Sequence, residues 1–211
     1  MGISLTTKDY HPLIGKKMAS PILKDTLIFE SVFNTRQPDF FKAHIVCNEM
    51  VSPGAAHLAM AISAALRVRN ADFGTRDSLG MADISFIRPL VVDGHNDRNV
   101  QIILEHISEK EMPFRIVSCE PPDEDWHLHC EGSLTGFIQE EGEQQKELPD
   151  VPEFSAGVIP QACKEHIEGS QFYEKLTNVG FNLGKQFQGI EQGWYGGNEA
   201  LSQISTGGSL S

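Results

Sequence analysis

Basic residues are scarce in this chain. Lys and Arg number 17 against 29 Asp and Glu, for a net charge of −12. A surface of that sign repels phosphate backbones and anionic headgroups, which argues against nucleic acid and membrane surfaces as partners. Long apolar runs are missing as well, and no stretch reaches the length a bilayer span needs. The opening MGISLTTKDY lacks the apolar core of a secretory signal. The four cysteines, Cys47, Cys119, Cys130 and Cys163, contain no CxxC pair, so they read as reduced thiols and not as a disulfide framework. These absences together predict a cytoplasmic protein. With 40% hydrophobic and 22% charged residues, the chain has the make-up of an ordinary globular core.

What is present is strand, one apolar helix, and more strand. DTLIFESVFN (25–34) alternates apolar and polar residues, as a half-buried strand does. In SPGAAHLAMAISAALRVRN, Ser52 suits an N-cap and Pro53 the first helical position. Residues 55 to 66 carry Ala, Leu, Met and Ile on nearly every face, which predicts a continuous helix over 53–68 buried on all sides. Strand patterns follow at 81–92, 99–108, 114–120 and 126–138, separated by the turn clusters DGHND and EPPDED. One buried helix flanked by antiparallel-type strands predicts an α+β domain in which a sheet curls around the helix.

Residues 1–138 form that first domain. The segment 139–153, QEEGEQQKELPDVPE, is polar, acidic and proline-containing, and reads as a linker. Residues 154–211 begin a second unit, with a short amphipathic helix ended by Gly180 and opening strands in GKQFQGIEQGWYGGNEALSQI. Too few residues follow the linker for a second copy of the first domain, so this unit is expected to be incomplete.

Five segments, in order, resemble the dehydratase domains of modular polyketide synthases, which are double hotdogs. HPLIG at 11–15 is similar to the family's opening HPLLG, and AHIVCNEMVSP at 43–53 to its H-x3-G-x4-P motif. ISFIRPLVV at 84–92 and WHLHCEGSL at 126–134 resemble two core strands of the family. FYEKLTNVGFNLGKQFQGI at 172–190 is similar to YxxLxxxGxxYGPxFQGI, which opens the second hotdog. There are departures. Ala43 stands where an Asp often precedes the His, Asn48 where the family has Gly, and Leu183 and Lys185 in the YGP motif. The family's second catalytic residue, an Asp in a pattern like LD-x3-Q, has no counterpart in 1–211.

The resemblance implies a hotdog fold and loss of water from a β-hydroxyacyl thioester. The substrate rides on the phosphopantetheine arm of an acyl carrier protein, with no other cofactor and no metal. It also implies association with other polyketide synthase domains and a homodimer in the full-length protein. His44 then stands at the position of the general base, a task that an imidazole of ordinary pKa about 6.5 can perform at neutral pH. The helix start at Pro53 and Gly54 offers free N–H groups and a positive dipole for the developing oxyanion. Asn48 is the other candidate substrate-binding residue. Asn tolerates left-handed backbone better than other non-glycine residues, so the backbone there can keep the geometry that a Gly would take.

Two other readings stay open. One is a dehydratase-like isomerase that shifts a double bond and keeps the His without needing an acid. The other is a non-catalytic structural hotdog, favoured by Asn48, Leu183, Lys185 and the incomplete second unit. On that unit's account the chain alone is expected to self-associate and to show little turnover. In WHLHC, His127 and His129 are expected on one strand face and Cys130 on the other, packing and not binding zinc. Phe172, Tyr173, Phe181 and Phe187 are spaced as core anchors.

Overall fold

The computed structural model describes residues 11–19, 22–23, 25–69, 79–94, 96–105, 111–122, 125–135 and 162–205. In chain order the elements begin with β1 (Lys16–Met18), β2 (Thr26–Phe33), β3 (His44–Val46), β4 (Glu49–Val51) and α1 (Gly54–Arg69). Next come β5 (Gly80–Phe86), β6 (Val91–Val92), β7 (Arg98–Glu105), β8 (Glu111–Cys119) and β9 (His127–Thr135). The last are β10 (Glu165–Glu168), α2 (Gly169–Asn178), β11 (Phe181–Leu183), β12 (Ile190–Gly196) and β13 (Glu199–Ile204). The expected linker at 139–153 lies outside the described residues. No described helix is long and apolar enough to cross a membrane.

The chain forms two compact units. The first takes the described residues within Met1–Phe41 and Glu49–Glu141, the second those within Lys42–Asn48 and Gly142–Ser211.

In the first unit an antiparallel sheet runs in the order β1-β2-β7-β8-β9-β5. The alternation in TLIFESVF does what its pattern predicts, burying Phe29, Ser31 and Phe33 on one face. Helix α1 packs against β7 and β9. Its buried residues are small or flexible, among them Met60, Ala61, Ala64 and Ala65, and they meet Ile102, Leu104, Phe114, Ile116 and Leu134 in the core. Each large side chain so enclosed contributes about 1.5–3 kcal/mol.

The segment HPLIG closes a tight turn at the edge of this unit. His11 and Gly15 exchange backbone hydrogen bonds of 3.0 and 2.7 Å, and His11 Nδ1 accepts from the Leu13 N–H at 3.2 Å. Gly15 has φ +66°, and a Cβ there would overlap the Glu30 carbonyl oxygen, so only glycine fits. The turn drives Ile14 into the core.

Two details differ from the sequence expectation. Ser52 does not cap α1. Its N–H donates to the Leu90 carbonyl at 2.8 Å, and its buried hydroxyl has no hydrogen-bond partner among the described residues. The strand expected over 81–92 also divides into β5 and β6. Ile87 N–H still donates to the His129 carbonyl at 2.8 Å, and then Pro89, which has no N–H, interrupts the ladder.

The second unit carries an antiparallel sheet in the order β10-β12-β13. Helix α2 opens with the Gln171 side-chain carbonyl accepting from the Glu168 N–H at 3.4 Å, and Gly180, at φ +95°, follows its end as the sequence predicts. Tyr173 from α2 accepts the Ile190 N–H on its hydroxyl at 2.9 Å, bolting the helix to β12. Phe181 is exposed and not a core anchor, because it sits on the short β11 with its side chain turned outward.

Candidate active site

His44 lies in the second unit, on β3, and is held by residues nearly 140 positions later in the chain. Strands β3 and β11 pair antiparallel, with His44 opposite Leu183, Ile45 opposite Asn182 and Val46 opposite Phe181. The pairing is extended at both ends. Gly184 N–H donates to the Ala43 carbonyl at 2.7 Å, and Cys47 N–H to the Gly180 carbonyl at 2.7 Å. A Cβ at Gly184 would stand 2.6 Å from that of Ala43, so the close approach requires glycine at that point. The Phe187 ring meets the half-buried imidazole of His44 edge-on, with centroids 5.2 Å apart. Phe187 is thus a neighbour of the candidate base, a role its spacing in the sequence did not reveal.

The turn after β3 places two non-glycine residues in the left-handed region, Cys47 at φ 51° and Asn48 at φ 67°. Asn48 therefore adopts the backbone for which Asn, among side-chain-bearing residues, is best suited. Both residues are exposed. Pro53 and Gly54 lie in the first unit, Pro53 buried and Gly54 exposed at the start of α1. The Phe86 ring covers Gly54, and a Cβ there would meet it at 3.2 Å. His44 with Asn48, and Pro53 with Gly54, are accordingly placed by two different sets of neighbours.

The WHLHC segment departs from simple alternation. A bulge in β8–β9 pairing lets Ile116 face Cys130 and Val117 face Leu128, which makes His129 the extra residue. His129 and Cys130 are both buried as a result, while His127 stays partly exposed. His129 Nδ1 lies 3.3 Å from the Arg88 carbonyl, so this nitrogen carries the proton, and Nε2 accepts from the Ser118 hydroxyl at 2.7 Å. Burial lowers the pKa of His129 to about 4, and burial raises that of Cys130 to about 11. Among the described residues no group of three His, Cys, Asp or Glu side chains could hold a metal ion.

One residue escaped the sequence reading altogether. His57, on α1, is only 3% exposed, and neither ring nitrogen has a hydrogen-bond partner among the described residues. Its pKa is lowered to about 4, first by burial and then by nearby His129. The signal in the sequence was a single imidazole inside an Ala- and Leu-rich helix, three residues after Gly54.

A sheet of antiparallel strands curled on one buried helix, with a second α+β unit behind it in the chain, is a hotdog-type architecture. Solved structures share it. The dehydratase domain from the CurJ module of curacin polyketide synthase is 30% identical, with a TM-score of 0.70 over 92% of this chain and 62% of that one. A CurJ dehydratase described as an inactive His-to-Phe mutant in complex with a compound is 28% identical, with a TM-score of 0.68, over 93% of this chain and 62% of that one. Residues 11–119 match the family described as "Polyketide synthase dehydratase domain", and residues 152–211 that described as "Polyketide synthase dehydratase N-terminal domain". The chain belongs to the polyketide synthase dehydratase domain family. Polyketide synthase PksN of Bacillus subtilis (strain 168) is 28% identical over 178 residues, which cover 84% of this chain and 3% of that protein. The chain thus spans a small fraction of its curated relatives and under two thirds of the solved domains.

Proposed function

We propose that this chain acts as a dehydratase domain on a β-hydroxyacyl thioester, with His44 as the base. The observation that carries the reading is the bracing of His44: the 180–187 segment pairs with its strand on both sides and sets Phe187 against its ring. This segment lies within the second matched stretch. That a His-to-Phe mutant of the related CurJ dehydratase is inactive supports a catalytic histidine in that protein.

In the proposed reaction the imidazole takes the proton from the carbon next to the thioester carbonyl. The C–H electron pair becomes the new double bond, the β-carbon–oxygen bond breaks, and hydroxide leaves with a proton as water. Pro53 and Gly54, at the helix start in the first unit, are proposed as substrate-contacting residues, the Gly54 N–H being suited to meet a carbonyl oxygen. The left-handed turn at Asn48 would set the backbone next to the substrate. Elimination involves no net oxidation, so no redox cofactor is called for. The substrate would be delivered on the phosphopantetheine arm of an acyl carrier protein, among other polyketide synthase domains, in a homodimeric synthase in the cytoplasm. Residues 1–211 contain no LD-x3-Q pattern.

The test reads the two half-reactions separately. Purified protein is given a 3-hydroxyacyl thioester on a carrier protein in D2O, and mass spectrometry follows loss of water and uptake of deuterium at the α-carbon. Wild-type protein is expected to exchange the α-hydrogen, and His44→Phe to lose that exchange with folding unchanged. Exchange retained by His44→Phe would place the base elsewhere. No exchange by the wild type would favour the structural reading.

A further inference from the structure

We infer that Phe187 is a positioning residue for His44, holding the imidazole plane in the orientation from which it accepts the α-proton, and that Gln188 is the latch that keeps Phe187 in place. This rests on the reading of His44 as the base and adds two residues to that same site. All of these groups belong to the second unit. The need for such a neighbour follows from the histidine side chain itself. The torsion that turns an imidazole about its Cβ–Cγ bond is broad and roughly two-fold, so the rotamer alone leaves the ring plane poorly fixed. His44 opens a strand of only three residues and is half-buried. Proton transfer depends on that plane, because the accepting lone pair lies in it and must point at the C–H bond.

The backbone after β11 supplies the neighbour. Leu183 stands opposite His44 in the ladder, and the Gly184 N–H continues the pairing to the Ala43 carbonyl. A 3-10 turn over Lys185–Phe187 follows at once. It is closed by the Phe187 N–H donating to the Gly184 carbonyl at 2.8 Å and the Gln188 N–H to the Lys185 carbonyl at 3.0 Å. The turn returns the Phe187 ring to the imidazole, with 5.2 Å between centroids and 68° between planes. That is the edge-to-face geometry that aromatic rings prefer, and an imidazole rotated about Cβ–Cγ would lose it. The bonds within the turn do not tie its far end to the strand. The Gln188 side chain does, its Nε2 donating to the Leu183 carbonyl at 2.7 Å. The residue that faces His44 is thus fastened to the end of the turn that carries Phe187. Neither a phenyl ring nor a carboxamide takes a proton from carbon at neutral pH, so the contribution of both residues is to placement.

The experiment compares wild type, Phe187→Leu, Phe187→Tyr and Gln188→Ala in the α-hydrogen exchange of a 3-hydroxyacyl thioester on a carrier protein in D2O, with kcat and KM obtained separately. In parallel, NMR relaxation of 13C,15N-labelled histidine reports how far the His44 ring moves, its signals being those that His44→Phe lacks. Phe187→Leu is expected to lower kcat about tenfold, to leave KM unchanged and to set the ring in motion. Phe187→Tyr should recover most of the rate and the rigid ring. Gln188→Ala should fall between wild type and Phe187→Leu in both readouts, and urea midpoints should stay together. A wild-type kcat in Phe187→Leu would overturn the inference while leaving the dehydratase reading intact. So would a loss of kcat with the ring as rigid as in wild type, or a loss in Phe187→Tyr as large as in Phe187→Leu. Should Phe187→Leu fail to fold, Gln188→Ala decides, and an unchanged rate with an unmoved ring there overturns the inference. Exchange absent from wild type, or kept by His44→Phe, fails the dehydratase reading itself, and the positioning role falls with it. That failure is told apart because it shows before any change at Phe187.

Discussion

In the first unit Phe33, Met60, Ile102, Phe114 and Leu134 are closed off from solvent around α1, whereas in the second the buried apolar side chains among the described residues are Cys163, Ile167 and Tyr173. The first is held from within by a packed core. The second is held along its backbone, by strand pairs, the Tyr173–Ile190 bond and the glycines at 180 and 184. The difference separates two tasks. Apolar packing gives the first unit its stability, and hydrogen-bonded backbone gives His44 its place. Damage to the first should therefore show in unfolding, and damage to the second in what His44 does.

The largest expected effect tests the packed side. Phe114→Ala should cost about 3–5 kcal/mol, because the side chain is enclosed in the packed core and the emptied space cannot collapse fully. Urea unfolding followed by circular dichroism measures it. A cost below ~1 kcal/mol would mean that the first unit is not held by its core.

Acid should reach the same unit next. His57 and His129 have pKa values of about 4 when folded, against an ordinary value of 6.5. Above pH 6.5 both are neutral folded or unfolded, and stability is at its full level. As pH falls from 6.5 toward 4 the unfolded chain binds protons that the folded one refuses. Stability then drops by up to about 1.4 kcal/mol per pH unit for each ring. Urea midpoints at several pH values should show that slope, and His57→Phe should flatten it by its share.

Gly184→Ala sharpens the comparison from the other side. The new methyl meets Ala43, so β3 and β11 must part, and the α-hydrogen exchange assigned to His44 should fall about tenfold or more. Global stability should change by no more than about 1–2 kcal/mol. Exchange kinetics and unfolding of the same sample provide both numbers. A variant that unfolds but keeps its exchange rate would reverse the assignment of tasks.

Tyr173→Phe is the mildest change. Removing the hydroxyl frees the Ile190 N–H and should cost about 1 kcal/mol, seen as faster amide hydrogen exchange at Ile190 and its neighbours on β12.

Much of this division could be read from the residues. The all-round apolar run of α1, the alternation of β2 and the glycine after α2 each state their structure locally, because period and backbone freedom are local properties. The bulge at His129 is not local in that sense. No glycine marks it, and it arises from the register between β8 and β9. The attachment of 42–48 to the second unit was hidden for a similar reason, since it depends on pairing with 181–183. Ser52 looked like a cap, and tertiary pairing with Leu90 claimed it instead. His57 was overlooked because one imidazole hardly changes the apolar character of its helix, although its burial makes it the most exposed to consequence of any polar group there.

The left-handed turn after β3 has a practical use. Of the four cysteines, Cys119, Cys130 and Cys163 are buried, and Cys47 alone is exposed. Its backbone is tied to Gly180 at 2.7 Å, so a fluorophore attached there by maleimide chemistry would be anchored three residues from His44 on a fixed strand end. The sequence thus offers one exposed thiol as the attachment point for an optical reporter beside His44, and quenching on addition of a carrier-bound ligand would register occupancy without a substitution.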